Sequence, residues 1–221
     1  MRFAAIETST DWCSVAVWSD GEITALERRA GNRHSELALP MLEKLLGKQP
    51  EKSRLDAVAF GAGPGAFTGL RIACGLAQGL AFGRGVPAIG VSTLEALAQE
   101  TGATRVVACI DARMREVYYA ALEKRGGRWH EVVAAQCVAP QSAPKPPGDG
   151  WVGAGSGFEA HPGELAGKVS MVRAAVHPTA LAVAELAAPR LAAGEGVDAG
   201  EAAPVYLRDK VALTQEELGR R

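Results

Sequence analysis

Two widely separated stretches follow one plan, and this repeat constrains the fold more than any other feature of the chain. "RFAAIE" (residues 2–7) and "RVVACID" (residues 105–111) are apolar runs that each end in an acid. After the first come "CSVAVW", an "SDG" turn and "EITALER"; after the second come "EVYYAAL", an "RGGR" turn and "WHEVVAAQ". Short β-prone runs joined by glycine turns read as antiparallel meanders of three strands. Ile6-Glu7 and Ile110-Asp111 hold equivalent places in them. A strand order that repeats in step with such a match points to a duplicated unit, and so to two lobes built alike.

Between the meanders the pattern alternates. "HSELALPMLEKLLG" carries a helical stripe of Leu37, Met41, Leu42, Leu45 and Leu46, with Ser35 as the expected N-cap and Gly47 as the stop. Pro40 is expected to bend the start of this helix or confine it to the later turns. "LDAVAFGAG" reads as a strand entering a glycine loop, and Thr68 as the cap of a helix from Gly69 to Phe82. "VPAIGVS" follows as a strand, and Thr93 is expected to cap "LEALAQE". The order β-β-β-α-β-α-β-α predicts a mixed sheet covered by helices, in the α/β class.

The second half is less regular. "APQSAPKPPGDG" is a proline-rich surface loop, "WVGAG" and "VSMV" are short strands, and "PTALAVAELAAPRLAAG" is a helix with Pro178 near its start. The expected boundaries are a first lobe at 1–102, a smaller C-terminal lobe at 103–203, and an anchor and tail at 204–221. Order is expected at Tyr206 and Leu207 and fraying beyond about Gln215.

With 48% hydrophobic and 22% charged residues the chain can build a substantial core, and its net charge of -1 lacks the basic excess of a sequence-independent nucleic-acid binder. A local basic face stays open. The opening apolar run stops at Ile6, too short for a signal peptide. The longest apolar run, Ile72 to Leu80, is too short to span a membrane. Cys13, Cys74, Cys109 and Cys137 form no CxxC pair and are expected to be reduced, mostly buried thiols in a cytoplasmic protein.

Candidate chemistry gathers at two places. The loop of Gly61, Gly63, Pro64 and Gly65 stands between a strand and a helix, where free N–H groups can cradle phosphate. No lysine completes a Walker loop, however, and Ala66 breaks the G-x-G-x-x-G spacing. Glu7 and Asp111 end the first strand of each lobe, where an acid can face a central cleft and a metal-bound phosphate. Thr8, Ser9 and Thr10 offer hydroxyls beside Glu7, whereas Arg113, Met114 and Arg115 crowd the turn beside Asp111. His34, His130, His161 and His177 lie far apart, with no HxxxH pair, so no metal site is expected.

The helix after the loop raises a different question. From Leu70 to Phe82 only Arg71 and Gln78 are polar, and Gly75 and Gly79 share one side. Each interior glycine costs a helix about 1 kcal/mol relative to alanine. Ile72, Leu76 and Leu80 are expected to face the lobe's own sheet, which leaves the glycine side for another helix.

"IETST", "HSELALP", "GPGAFTGLRIACGLAQGLAFG", "GVSTLEALA", "IDARMREVYYA" and "PVYLR" together resemble the TsaB family, dimerisation subunits of the bacterial tRNA threonylcarbamoyladenosine (tRNA N6-threonylcarbamoyltransferase) complex. The resemblance covers nearly the whole chain, strongest up to Leu122 and thin from Val138 to Ala203. It implies an α/β actin-like, sugar-kinase-like (ASKHA) fold of two RNase H-like lobes with mixed sheets, the second reduced. It also implies a non-catalytic scaffold that pairs with the TsaD paralogue, is joined by the TsaE ATPase, and reaches tRNA only through the complex. That complex modifies N6 of the anticodon-adjacent adenosine in tRNAs reading codons that start with A. No intrinsic cofactor or metal is implied; ATP/ADP and metal belong to the partner subunits, and the isolated chain forms a homodimer away from any membrane. The implied interface is Leu37, Met41, Leu45, Leu70, Arg71, Cys74, Gly75, Gln78 and Ala81, on the two helices of the first lobe. Glu7, Thr8, Ser9 and Asp111 would then be a vestigial nucleotide cleft. The alternative is an autonomous ATP-dependent small kinase or ATPase, with Glu7 and Asp111 around a metal.

Overall fold

A computed structural model of the chain describes residues 1–47 and 54–208. One sheet holds β1 (Arg2–Glu7), β2 (Trp12–Ser19), β3 (Glu22–Arg29), β4 (Ala57–Gly63) and β5 (Ala88–Ser92) in the order β3-β2-β1-β4-β5. The other holds β6 (Arg105–Arg113), β7 (Glu116–Arg125), β8 (Arg128–Val138), β9 (Val152–Ala154) and β10 (Met171–Arg173) in the order β10-β9-β6-β7-β8. Each is an antiparallel meander extended by two parallel strands beside its first member. The two sheets therefore share one topology, as the repeat predicts.

Burial explains the strand sequences. "FAAI" in β1 is apolar without alternation because this central strand is covered on both faces. The edge strand β3 is mostly exposed and carries Glu22, Glu27, Arg28 and Arg29, charges that discourage edge-to-edge pairing. In the first lobe α1 (His34–Leu46) joins β3 to β4. The matching link from β8 to β9 holds only a 3-10 turn at Pro140–Ser142, since its prolines cannot sustain a helix. The second lobe is reduced at that point.

Helix starts differ from expectation by a residue or two. α1 begins at His34 behind Arg33, so Ser35 is inside it, and the helix runs unbroken through Pro40. α2 (Phe67–Arg84) starts behind Ala66, which leaves Thr68 in its first turn rather than at its cap. α3 (Thr93–Glu100) is capped by Ser92, whose Oγ accepts the Glu95 N–H at 3.4 Å. Two short helices follow, α4 (Ser156–Ala160) and α5 (Pro162–Leu165), and then α6 (Ala180–Ala192), capped by Thr179 through the Ala182 N–H at 3.1 Å.

The lobes exchange helices. α6, expected in the second lobe, packs Ala180, Val183, Ala184 and Ala187 against Phe3, Ala5, Ala59 and Ile89 of the first sheet. α3, expected in the first lobe, packs Leu94, Leu97 and Ala98 against Val106, Ala108, Ile110 and Leu122 of the second. Boundaries at 102 and 203 thus divide the sequence but not the packing. Gln99 ties the layer together: its Nε2 donates to Glu185 at 2.6 Å, and its Oε1 accepts from Lys124 at 2.8 Å and Trp129 at 3.2 Å. Among the described residues no helix is long and apolar enough to cross a membrane.

Candidate functional site

The glycine loop joins β4 to α2, and the turn after β1 fills it. The Thr8 hydroxyl donates to Gly69 O at 2.7 Å, and the Ala66 N–H donates to Ser9 O at 2.8 Å. A Cβ on Gly61 would stand 1.9 Å from Glu7 Oε2, on Gly65 2.6 Å from Ser9, and on Gly69 1.9 Å from Thr8 O. Gly63, at φ +118°, lies where a Cβ would approach Val205 O to 2.6 Å, and a cis peptide bond leads on to Pro64. These glycines admit the chain's own backbone and side chains into the place where a phosphate turn would receive a ligand.

Glu7 is 1% exposed. Its Oε1 accepts the Ser9 N–H at 2.6 Å, while Oε2 has no hydrogen-bond partner among the described residues. Burial pushes the carboxyl up to about 7; the nearby Ser9 hydroxyl and N–H offset part of this, though the hydroxyl makes no hydrogen bond of normal geometry. Asp111 lies elsewhere, on the wall of an interlobe cleft of roughly 660 Å³ that Ser9 also lines and Glu7 does not reach. Its carboxylate accepts the Arg113 N–H at 2.9 Å and pairs with the Arg113 guanidinium at 3.2 Å. The second lobe's glycine turn is filled in the same manner: a Cβ on Gly153 would meet the Phe158 ring at 2.4 Å, and one on Gly155 would meet Cys109 O at 2.4 Å.

The outer face of α2 is the opposite case. Phe67, Arg71, Gly75, Gly79 and Gly83 recur every fourth residue and all are exposed. A Cβ on Gly75, Gly79 or Gly83 would meet nothing within 4 Å among the described residues. Leu76 and Leu80 flank this row half-buried and, like Leu37 and Leu45 of α1, pack against the first lobe's core, while Phe82 is 83% exposed. The Arg71 guanidinium lies 3.8 Å over the Phe67 ring.

The profile of the family described as "TsaD: tRNA N6-adenosine threonylcarbamoyltransferase" matches residues 27–215. The Escherichia coli "tRNA threonylcarbamoyladenosine biosynthesis protein TsaB" is 40% identical over 96% of this chain and 96% of its own length. This chain belongs to the TsaB family. Its Haemophilus influenzae namesake is 36% identical over 96% of this chain and 95% of that protein. The solved structure "YeaZ from Pseudomonas aeruginosa" matches with a TM-score of 0.85 at 38% identity, over 93% of this chain and 99% of that one. The TsaB-family chain thus has the two-lobed actin-like, sugar-kinase-like fold that its motifs imply.

In this TsaB-family structure the expected interface residues separate. Leu37, Leu45, Arg71, Gly75 and Gln78 lie on or beside the outer face. Met41, Leu70, Cys74 and Ala81 are buried beneath that face instead. The buried side of α2 is the narrow row of Ala73, Ala77 and Ala81 with Leu70 and Cys74, which sits closer to the sheet than the Ile72–Leu76–Leu80 row could. That larger row is turned to the margin, against expectation. Gln78 Nε2 and Cys74 Sγ donate to Ala202 O at 2.8 and 3.4 Å. Phe82 shares the mixed edge of Arg71, Gly75 and Gln78 that helical spacing predicts, whereas Phe67 and Gly83 extend the face beyond it, Gly83 at the same four-residue glycine spacing. The four cleft residues separate too: Glu7 and Thr8 are locked in packing, and Ser9 and Asp111 reach the cleft. His34 meets Thr10 O at 2.8 Å, and His177 stacks on Trp12 and pairs with Glu27 at 3.0 Å. No group of three or more potential ligands gathers for a metal among the described residues, and the four cysteines are free thiols.

Proposed function

We propose that this chain is a non-catalytic scaffold in tRNA threonylcarbamoyladenosine biosynthesis, pairing with the TsaD paralogue through α1 and α2. One observation carries the reading. Three glycines stand in an exposed helical row, each at a cost of about 1 kcal/mol relative to alanine, and none of the described residues needs the space. Missing side chains there let a second helix come close, and α1 and α2 from each protein would then meet as a four-helix layer. A patch of about 800 Å² per partner is the usual size for a stable pair. In this reading the TsaE ATPase joins the pair, and ATP/ADP, metal and the transfer step belong to the partner subunits. tRNA is reached through the assembly in the cytoplasm, and the same face pairs with itself when the chain is alone.

Autonomous ATP-dependent catalysis has less support. It needs Glu7 and Asp111 around one metal, whereas Glu7 is sealed beneath Gly61 and Asp111 is engaged by Arg113. The test is Gly75→Leu mixed with the TsaD paralogue of the same host. Affinity is expected to fall at least about 100-fold while the variant, at concentrations too low for self-pairing, melts no lower than wild type. Undiminished co-elution would remove the scaffold assignment, and tight ATP–magnesium binding by the isolated chain, lost in Glu7→Ala, would favour the alternative.

A further inference from the structure

The segment after α6 crosses from one lobe to the other, and its two ends hold different machinery. On the first lobe the Val205 N–H donates to Ala62 O at 2.7 Å. Tyr206 packs on the Phe67 ring with centroids 5.5 Å apart, and its hydroxyl accepts the Arg71 Nε–H at 3.2 Å. Phe67 and Arg71 begin the exposed row on α2, so Tyr206, itself 43% exposed, extends that face beyond the helix. On the second lobe Arg208 pairs with Glu116 at 2.5 Å, donates to Arg113 O at 3.3 Å, and keeps only 15% of its side chain exposed.

Arg208 holds an unusual structure. The turn between β6 and β7 places Arg113, Met114 and Arg115 consecutively at φ +61°, +55° and +60°. Left-handed backbone is costly for each of these side chains, and three in succession persist only where surrounding contacts enforce them. Arg208 supplies such contacts through the carbonyl of Arg113 and the carboxylate of Glu116. Asp111 holds the N-terminal side of the same turn through the Arg113 N–H and guanidinium, so Arg208 is the clamp that comes from outside the β6–β7 hairpin.

We propose that Val205–Arg208 is a latch coupling the docking face of α2 to the β6–β7 turn across the interlobe cleft. This rests on the docking reading above. A partner seated on Phe67 and Arg71 also covers Tyr206, and fixing Tyr206 favours Arg208 in its seat. By reciprocity, breaking the Arg208 seat weakens docking by the same factor by which docking strengthens the seat.

Arg208→Glu, Glu116→Arg and the double exchange test this in the full chain, with Glu116→Gln as a milder variant should a charge reversal misfold. Affinity for the TsaD paralogue, measured by calorimetry, is expected to fall about 5- to 50-fold in Arg208→Glu, less in Glu116→Gln, and to recover in the double exchange. Amide hydrogen exchange at residues 113–118 is expected to speed up in Arg208→Glu and to slow in wild type when the partner binds. Wild-type affinity in both Arg208→Glu and Glu116→Gln, alongside lost binding in Gly75→Leu, overturns the latch and leaves docking intact. Unchanged binding in Gly75→Leu removes the docking reading instead. In that event faster exchange at 113–118 in Arg208→Glu still supports the clamp, and unaltered exchange overturns it.

Discussion

Two sets of glycines lie along one continuous segment and have opposite reasons to exist. At Gly61, Gly65 and Gly69 an added methyl group would collide with Glu7, Ser9 or Thr8 of the chain itself. At Gly75, Gly79 and Gly83 it would meet none of the described residues. The first set is explained by the fold, and the second is a standing cost to it. A glycine in a sequence signals close approach but does not say whose atoms approach. In this chain the inward set closes a turn that could have taken phosphate, and the outward set faces space that no described residue fills.

The comparison breaks first at Gly69→Ala. Its Cβ would lie 1.9 Å from a backbone oxygen in the strand–turn junction at the centre of the first sheet, where no flexible side chain can give way. Destabilisation of about 4 kcal/mol is expected, read from the urea midpoint. A loss below about 1 kcal/mol would mean that the β1–β2 turn does not occupy the loop as described.

Glu7 sharpens the inward side, because Gly61 makes room for it. Burial holds its carboxyl near 7 in the native state against 4.5 as the ordinary value. Between those pH values the native state keeps a proton that the unfolded chain has released, so stability falls as pH rises through the window and levels off above about 7. The difference amounts to about 3 kcal/mol. Glu7→Gln cannot ionise and can still accept the Ser9 N–H. Relative to wild type it is expected to gain stability steadily from pH 4.5 to 7.5, as chemical unfolding at several pH values would show. A parallel pair of pH curves would place the carboxyl in a more hydrated setting.

Much of this was legible before any coordinates. The meanders, the repeat and the strand order follow from short β-prone runs, turn residues and the spacing of Ile6-Glu7 and Ile110-Asp111, all of which are local signals. The helices' choice of sheet was not. "ALAVAELAAPRLA" is apolar on nearly every side, so nothing local says that α6 belongs against Phe3 and Ile89, far back in the chain. α2 offers two apolar rows, and the sheet takes the smaller one, Ala73, Ala77 and Ala81, rather than the expected Ile72, Leu76 and Leu80. The discriminating signal is the small size of Ala73, Ala77 and Ala81, which permits close seating that Ile72, Leu76 and Leu80 do not. Arg208 and Glu116 could not be paired from sequence at all, since a long separation carries no periodicity.

The smallest expected effects come from the outward glycines and separate the two sets most directly. Gly75→Ala, Gly79→Ala and Gly83→Ala each lower the entropy of the unfolded chain and add a methyl group to empty space. Each should therefore raise the stability of the monomer by about 1 kcal/mol, or 2–4 °C in melting temperature for a chain of this size, read at concentrations too low for the chain to pair with itself. If that space is reserved for a partner helix, the same methyl groups should weaken association, most where the helices cross closest. A more stable protein that binds less well is the signature of a residue kept for contact and against folding. Alanines that stabilise the chain without loosening the complex would show that the outward glycines, like the inward ones, answer to something within their own molecule.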